Sequence, residues 1–272
     1  MELIAYSRAF TGLLIRRLSK PSTGWRAFGA AMLACWIGAA AEARCVTPVY
    51  PPLDFVRPAW SELEALKTSP PAGSGIIKRQ DIAANGQGAL NLDFYSISID
   101  ANGQNAATLL AEIRANLNGL MFDGTSYSVA PFDAANAAIW QSGAPSNAVM
   151  VFTLAEIPGV MPLERGGVFV ACASATDFVF STLDMDDYGV HPVAGSRAFG
   201  VHDHGDGTLG IYVMAADRVV NEGLYAALPG PAHELVFSQG DAVWQRMLNN
   251  IETQYKDRNP GGRFVFSTRV PF

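Results

Sequence analysis

The densest group of potential metal ligands in the sequence is the run His202-Asp203-His204-Gly205-Asp206. Two histidines spaced two residues apart on a β-hairpin point to the same side, and a neighbouring carboxylate can complete a metal site. His202, His204 and Asp206 are therefore the candidate metal ligands. The same run also favours a tight turn, because Gly accepts positive φ and Asp bonds its own backbone. Since no second set of ligands accompanies the run, a solvated turn without a metal is the preferred interpretation.

A second acidic group consists of Asp184, Asp186 and Asp187. Carboxylate oxygens are the ligands that Ca²⁺ prefers, but the spacing is not that of a known calcium-binding loop. The sequence also lacks the G-x-S-x-G, H-E-x-x-H, Walker and C-x-x-C motifs of common catalytic and redox sites. We therefore expect neither a metal nor a cofactor.

His191 is the candidate catalytic residue. The members of a Ser-His-Asp triad are often remote in sequence, so a triad built on a histidine remains open. His191 stands beside Pro192, near Arg197 and the acidic loop, which makes it the histidine that a hydrolase would use. The alternative is a histidine that is hydrogen-bonded into a loop and has no catalytic role.

The elements that must position these residues are predicted to be strands of an antiparallel meander. Three runs alternate apolar side chains at every second position, which is typical of strands with one buried face. These positions are Phe178, Phe180 and Thr182, then Phe199 and Val201, then Leu209, Ile211 and Val213. A further strand is predicted over Leu90–Ile99, and shorter ones around residues 127–129, 148–154 and 167–173.

Two amphipathic helices accompany the strands. Asn105 is the predicted N-cap of the first, whose apolar positions recur at steps of three and four: Leu109, Leu110, Ile113, Leu117 and Leu120. Ser238 and Asp241 resemble a capping box that begins the second. Its apolar stripe consists of Trp244, Met247, Leu248, Ile251 and Tyr255, and Asn259-Pro260-Gly261-Gly262 ends it.

This order of elements predicts an α+β fold, with a curved antiparallel sheet, helices on one face and a long C-terminal amphipathic helix. The segment Gly189–Arg197, followed by an aromatic strand and Asp206-Gly207-Thr208, resembles the helix-grip, START-like (SRPBCC) superfamily over roughly residues 90–257. The resemblance implies a cavity between sheet and C-terminal helix that holds an apolar ligand. The wall candidates are then Tyr212, Met214, Trp244, Met247 and Ile251. The alternative is that these side chains form a filled core.

The first 43 residues resemble a secretory signal peptide, with a basic segment, an apolar run of about 15 residues and an Ala41-Glu42-Ala43 cleavage site. The apolar run is shorter than the roughly 20 residues of a membrane-spanning helix, so we expect no stable membrane span after cleavage. An uncleaved anchor, or a lipoprotein acylated at Cys35, is the alternative. After the signal peptide we expect a Pro/Gly-rich lead-in over residues 44–88, one α+β domain over 89–258, and a tail or extra strand over 259–272.

Charge and cysteine content narrow the range of functions. Beyond residue 43 the chain has 14 basic and 23 acidic residues, a balance that disfavours nucleic acids and anionic membrane surfaces as partners. The two cysteines of this part, Cys45 and Cys172, can form a disulfide in an oxidising compartment. The alternative is that Cys172 is a small buried apolar residue.

Three functions follow from these observations. The first is an exported, periplasmic or secreted protein that binds a small apolar ligand between sheet and helix without catalysis. The second is an envelope structural or interaction protein with a filled core. The third is a secreted hydrolase or effector that uses His191. The sequence leaves the ligand and the oligomeric state open.

Overall fold

The computed structural model describes residues 44–48, 57–73, 75–122, 127–154 and 164–272. The predicted signal peptide lies outside the described residues. Within the described ranges, ten strands form a single antiparallel sheet in the order β10-β2-β9-β8-β6-β5-β4-β3, and β1 and β7 both pair with β6. The strands are β1 (Ile76–Arg79), β2 (Gly86–Asp100), β3 (Ser128–Pro131), β4 (Val149–Leu154), β5 (Glu164–Ala173), β6 (Asp177–Met185), β7 (Gly189–Val190), β8 (Val193–Asp203), β9 (Thr208–Val220) and β10 (Gly261–Val270).

Six α-helices are present in the same ranges: α1 (Ser61–Ala65), α2 (Ile82–Asn85), α3 (Ala106–Ala115), α4 (Leu117–Met121), α5 (Ala134–Gln141) and α6 (Gly230–Gln254). The longest, α6, places its apolar stripe against one face of the sheet, together with buried residues of α3 and α4. This arrangement confirms the predicted α+β fold with a long C-terminal helix on an antiparallel sheet.

The meander β6-β8-β9 supplies the centre of the core on the α6 face. Phe178, Phe180 and Phe199 are almost fully buried, and the rings of Phe178 and Phe199 stack with their centroids 5.1 Å apart. Successive side chains of a strand point to opposite faces, so all the alternating positions predicted for the meander reach one side. The predicted positions do share one face, and Leu209, Ile211 and Val213 belong to the same cluster. The prediction that only one face is buried is wrong, because the intervening positions of β6 and β9 are also buried on the opposite side of the sheet.

Helix boundaries differ from the prediction at two places. Helix α6 begins at Gly230 with Pro231 in its first turn, so the predicted start at Ser238 is wrong. Proline fits the first turn because its missing N–H would have no partner there, whereas Ser238 lies inside the helix and its hydroxyl donates to the Leu235 carbonyl. The other predicted helix is capped by Asn105, as expected, but breaks at Asn116 into α3 and α4.

The opposite face of the sheet is covered by the N-terminal part of the described chain. Trp60 and Leu63 are each 1 % exposed and pack with residues of β2 and β9. The Trp60 indole donates to the carbonyl of Asp93 at 3.0 Å. Helices α1 and α2 and strand β1 also belong to this part of the chain. Strand β1 adds to the sheet by pairing with β6.

A disulfide joins this N-terminal segment to the sheet. Cys45 and Cys172 are bonded across 127 residues of sequence. Beside the bridge, the buried carboxylate of Asp177 accepts the backbone N–H groups of Cys45 and Val46 at 2.9–3.1 Å. Among the described residues, the groups that donate to Asp177 are therefore main-chain N–H groups and the Ser174 hydroxyl.

We expect the Cys45→Ser/Cys172→Ser variant to lose about 2–4 kcal/mol of unfolding free energy, because a bridge that closes a long loop restricts the unfolded chain. Urea denaturation of the oxidised protein and the variant measures the loss. Wild-type protein treated with reductant is the control and should match the variant. Two titratable thiols in the unreduced protein, or equal unfolding free energies, would contradict the expectation.

Candidate ligand-binding cavity

A cavity of about 130 Å³ lies between the sheet and α6. Its walls are mostly apolar and come from the sheet (Phe152, Val168, Phe180, Phe199) and from α6 (Val236, Phe237, Val243, Trp244). An apolar cavity of about 150 Å³ is large enough to bind benzene. The space therefore suits a group of about the size of one aromatic ring.

One end of the cavity is polar and centres on Arg197. The guanidinium makes two hydrogen bonds of 2.8 Å to the carboxylate of Asp93 and one of 3.2 Å to Asp217. Asn91 donates through Nδ2 to both carboxylates, at 3.2 Å to Asp93 and 3.0 Å to Asp217. The four side chains thus form one hydrogen-bonded group at the cavity wall, which we call the Arg197 cluster.

Strand register explains how the cluster forms. Asp93 of β2 and Arg197 of β8 both lie opposite Ala215 of the intervening strand β9. Because Ala215 carries only a methyl group, the arginine and the aspartate can meet above it. In the next row of the same face, Asn91 and Gly195 lie opposite Asp217. A Cβ at Gly195 would overlap the side chain of Asp217 and the Ala216 carbonyl, so this row requires glycine.

The cluster contains two carboxylates for one guanidinium. Asp93 is 1 % and Asp217 5 % exposed, and burial disfavours their charged forms. Burial therefore raises the pKa of Asp217 to about 6, although Arg197 opposes the shift. The pKa of Asp93 is also raised by burial, again against the effect of Arg197. Burial opposes the charge of Arg197, but the two carboxylates outweigh it and raise the arginine pKa.

A second set of contacts fixes α6 over the cluster. The guanidinium of Arg197 lies 4.3 Å from the ring centroid of Trp244, a cation–π contact. The hydroxyl of Tyr95 donates to Asp241 of α6 at 2.6 Å, and burial raises its pKa, so the phenol remains a donor. Asp241 also accepts from Ser267 and Arg269 of β10. The helix is thus bonded to strands at one edge of the sheet.

His191 lies in the cavity wall but in a different setting from the predicted one. Its backbone makes two hydrogen bonds with the side chain of Gln80, and its Nδ1 faces the backbone of Val193. Burial lowers its pKa to about 4, which keeps the imidazole neutral near pH 7. Within the described residues, no carboxylate is hydrogen-bonded to His191, so the acidic partner expected for a hydrolase is missing there.

The predicted wall residues separate into two groups. Trp244 lines the cavity, while Met247 and Ile251 lie on the same buried side of α6, outside the cavity lining. Tyr212 and Met214 are on the other face of the sheet, where Tyr212 stacks on Phe94. Their assignment to the wall is wrong, because residues alternate along β9 and its odd-numbered positions face α6.

The predicted metal candidates lie at the β8-β9 hairpin, away from the cavity. The rings of His202 and His204 are 5.1 Å apart, but Asp206 accepts from the backbone and hydroxyl of Thr208. In the part of the chain that the structure describes, no group of three His, Cys, Asp or Glu side chains is placed to hold a metal. Gly205 and Gly207 have positive φ, which confirms the predicted tight turn.

Asn91, Asp93 and Asp217 were not among the predicted site residues. One feature of the sequence does indicate a polar site here. On β2, the apolar residues at positions 95, 97 and 99 are preceded on the same face by the polar residues Asn91 and Asp93. Buried polar residues in an apolar row require partners, so this row indicates a polar network. The partners of Asn91 and Asp93, on β8 and β9, are more than 100 residues away in sequence.

No protein-family model matches the sequence, and no curated protein matches it either. Among solved structures, an aromatase/cyclase from Streptomyces sp. R1128 is 13% identical, with 62% of this chain and 95% of that chain covered and a TM-score of 0.43. A START superfamily protein from Mycobacterium smegmatis is 12% identical, covers 61% and 98%, and has a TM-score of 0.38. These likenesses concern the arrangement of sheet and helix alone.

Among the described residues, no helix is both long and apolar enough to span a membrane.

The raised pKa of Asp217 predicts how stability depends on pH. The pKa of Asp217 is near 3.8 in the unfolded chain and about 6 in the folded protein. Between these two pH values only the folded state binds the proton. The contribution of Asp217 to the free energy of unfolding therefore increases as pH falls from about 6 to 3.8. Relative to Asp217→Asn, the wild type should gain up to about 2–3 kcal/mol between pH 7 and pH 4. Urea unfolding of both proteins across this range measures the difference. A difference that is constant with pH would contradict the shift.

Proposed function

We propose that this protein binds one small, largely apolar molecule in the cavity between the sheet and α6. The observation that carries the proposal is a space of about 130 Å³ with aromatic and aliphatic walls and one polar end formed by the Arg197 cluster. Binding pockets typically combine apolar walls with a few placed polar groups that orient the ligand. A protein with a completely filled core would have no such space, so binding is favoured over a purely structural role.

Binding without catalysis is the version that we favour. A hydrolase built on His191 would need a base with a pKa near the working pH and a carboxylate to orient it. His191 has a pKa of about 4 and bonds to the backbone of Val193. The neutral imidazole is better suited to forming part of the cavity wall.

Export to the periplasm or the exterior belongs to the same proposal. The basic and apolar segments before Arg44 support it, and so does the Cys45–Cys172 bridge, since disulfides persist in oxidising compartments. N-terminal sequencing of the exported protein should give Arg44 as its first residue. Ala43→Leu should slow cleavage, because the cleavage site requires small residues. Retention of residue 1 on the exported protein, or an acylated N-terminus at Cys35, would contradict this prediction.

Toluene is a suitable probe of the cavity because its single ring matches the volume. It should raise the melting temperature and change the fluorescence of Trp244, since a ligand that binds only the folded state stabilises it. Val243→Phe fills the cavity from α6 and should abolish both effects. Gln245→Phe adds the same ring on the exposed side of the helix and should leave them intact.

Native mass spectrometry of the purified protein tests whether a molecule is already bound to it. Organic extraction then releases that molecule for identification. One apolar molecule for each chain would support the proposal. A clean apo mass together with no response to toluene would overturn it. Unfolding curves of Val243→Phe accompany the titration, because overpacking alone typically costs about 1–3 kcal/mol.

A further inference from the structure

We infer that the polar end of the cavity selects a ligand carrying an uncharged or cationic hydrogen-bond donor and rejects anionic ligands, with a primary amine as the group that fits best. The inference rests on the proposed function and specifies the chemical class of the ligand. It is carried by two observations, the charge of the Arg197 cluster and a buried acceptor without a partner.

The charge of the cluster is the first observation. The single guanidinium of Arg197 is neutralised when one of Asp93 and Asp217 is ionised, and one negative charge is left uncompensated when both are. Burial raises the pKa of both carboxyl groups, so the second negative charge develops as pH rises, and the cluster has a net positive charge only when both are protonated. The arginine does not offer a free fork to a carboxylate, because Nη1 and Nη2 both donate to Asp93 and the second hydrogen of Nη2 is donated to Asp217. An anion brought to this end would lie beside two carboxylates in a medium of low dielectric constant, where repulsion between like charges is strong.

Among the described residues, the neighbouring charged groups do not reverse this balance. On α6 and β10, Asp241 and Arg269 form an ion pair of 3.3 Å, and Glu234, which is largely exposed, lies 3.6 Å from the same arginine. His191 is neutral because burial lowers its pKa. These groups therefore add no net positive charge to the polar end.

The second observation is the amide oxygen of Asn91. Asn91 lines the cavity and is 2 % exposed, and its Oδ1 is buried without a hydrogen-bond partner among the described residues. The amide orientation is fixed by chemistry, since a flipped amide would place this oxygen against the carboxylates that Nδ2 now binds. A buried acceptor without a partner costs free energy, so a donor group that reaches Oδ1 gains affinity. Because this oxygen is buried, a ligand reaches it only when the adjoining cavity wall shifts.

The apolar walls are compatible with a cation near this end. Phe180 and Phe199 line the cavity, and the faces of aromatic rings attract cations. Arg197 already makes such a contact with Trp244. An ammonium group would thus lie near two carboxylates and aromatic side chains, whereas a carboxylate group would lie beside the same two carboxylates.

Four probes with the same ring separate these contributions: toluene, benzyl alcohol, benzylamine and benzoate. At pH 7.5, where Asp217 is largely ionised, calorimetric titration of the purified protein should give benzylamine an affinity at least tenfold above that of benzoate. Benzyl alcohol should bind more tightly than toluene, because only the alcohol can donate to Asn91.

Variants test the two observations separately. Asp217→Asn should reduce the preference for benzylamine over benzoate about tenfold, measured as the ratio of the two affinities in the same variant. Asp187→Asn removes the same charge from an exposed loop and serves as the matched control. Asn91→Leu should remove the advantage of benzyl alcohol over toluene. If Asp217→Asn does not fold, the wild type at pH 5 provides the same test, since protonation of Asp217 should weaken the preference.

The outcomes distinguish this inference from the proposed function. Toluene binding together with equal or tighter binding of benzoate than of benzylamine would overturn the charge preference and leave the cavity function intact. Absence of binding by all four probes would overturn the proposed function, and this inference with it. An unchanged benzylamine preference in a folded Asp217→Asn variant would also overturn the role assigned to the cluster.

Discussion

The structure depends on the burial of one guanidinium between two carboxylates across three strands. A charge removed from water is costly unless it is paired and fully hydrogen-bonded, so Arg197 requires β2, β8 and β9 to keep the register that places Asp93 and Asp217 beside it. A shift of one residue would turn Asp93 to the opposite face. The cluster thereby favours a single register in a part of the sheet that apolar residues alone would constrain less.

The same cluster couples the sheet to α6. Trp244 stacks on Arg197, and Asp241 receives the hydroxyl of Tyr95 two residues along β2 from Asp93. The helix is therefore positioned by polar contacts near its middle and by buried apolar residues on both sides of them. In the sheet below the cavity, Gly195 contributes no side chain and Ala215 contributes only a methyl group, so the bulk on this side comes from the Arg197 cluster and the aromatic residues of the wall.

The fold could be predicted from the sequence because alternation and helical spacing are local properties. The face of each residue was harder to assign. Ile211 and Tyr212 are both apolar and fully buried, and the sheet is covered on both sides, so hydrophobicity alone does not distinguish them. The start of α6 was misplaced because Ser238 and Asp241 resemble a cap, whereas Asp241 is used in a tertiary hydrogen bond. The site itself depended on partners far apart in sequence, which no local pattern contains.

Asp93 connects the cavity with the segment that covers the back of the sheet. Its carboxylate holds Arg197 on the α6 face, while its carbonyl accepts the Trp60 indole on the other side. Trp60 in turn packs in the cluster that includes Val46, next to the disulfide-bonded Cys45. The N-terminal segment therefore supports the strand that carries half of the Arg197 cluster. Its covalent attachment restrains β2 from behind as α6 does from the front, so the segment belongs to the scaffold of the site.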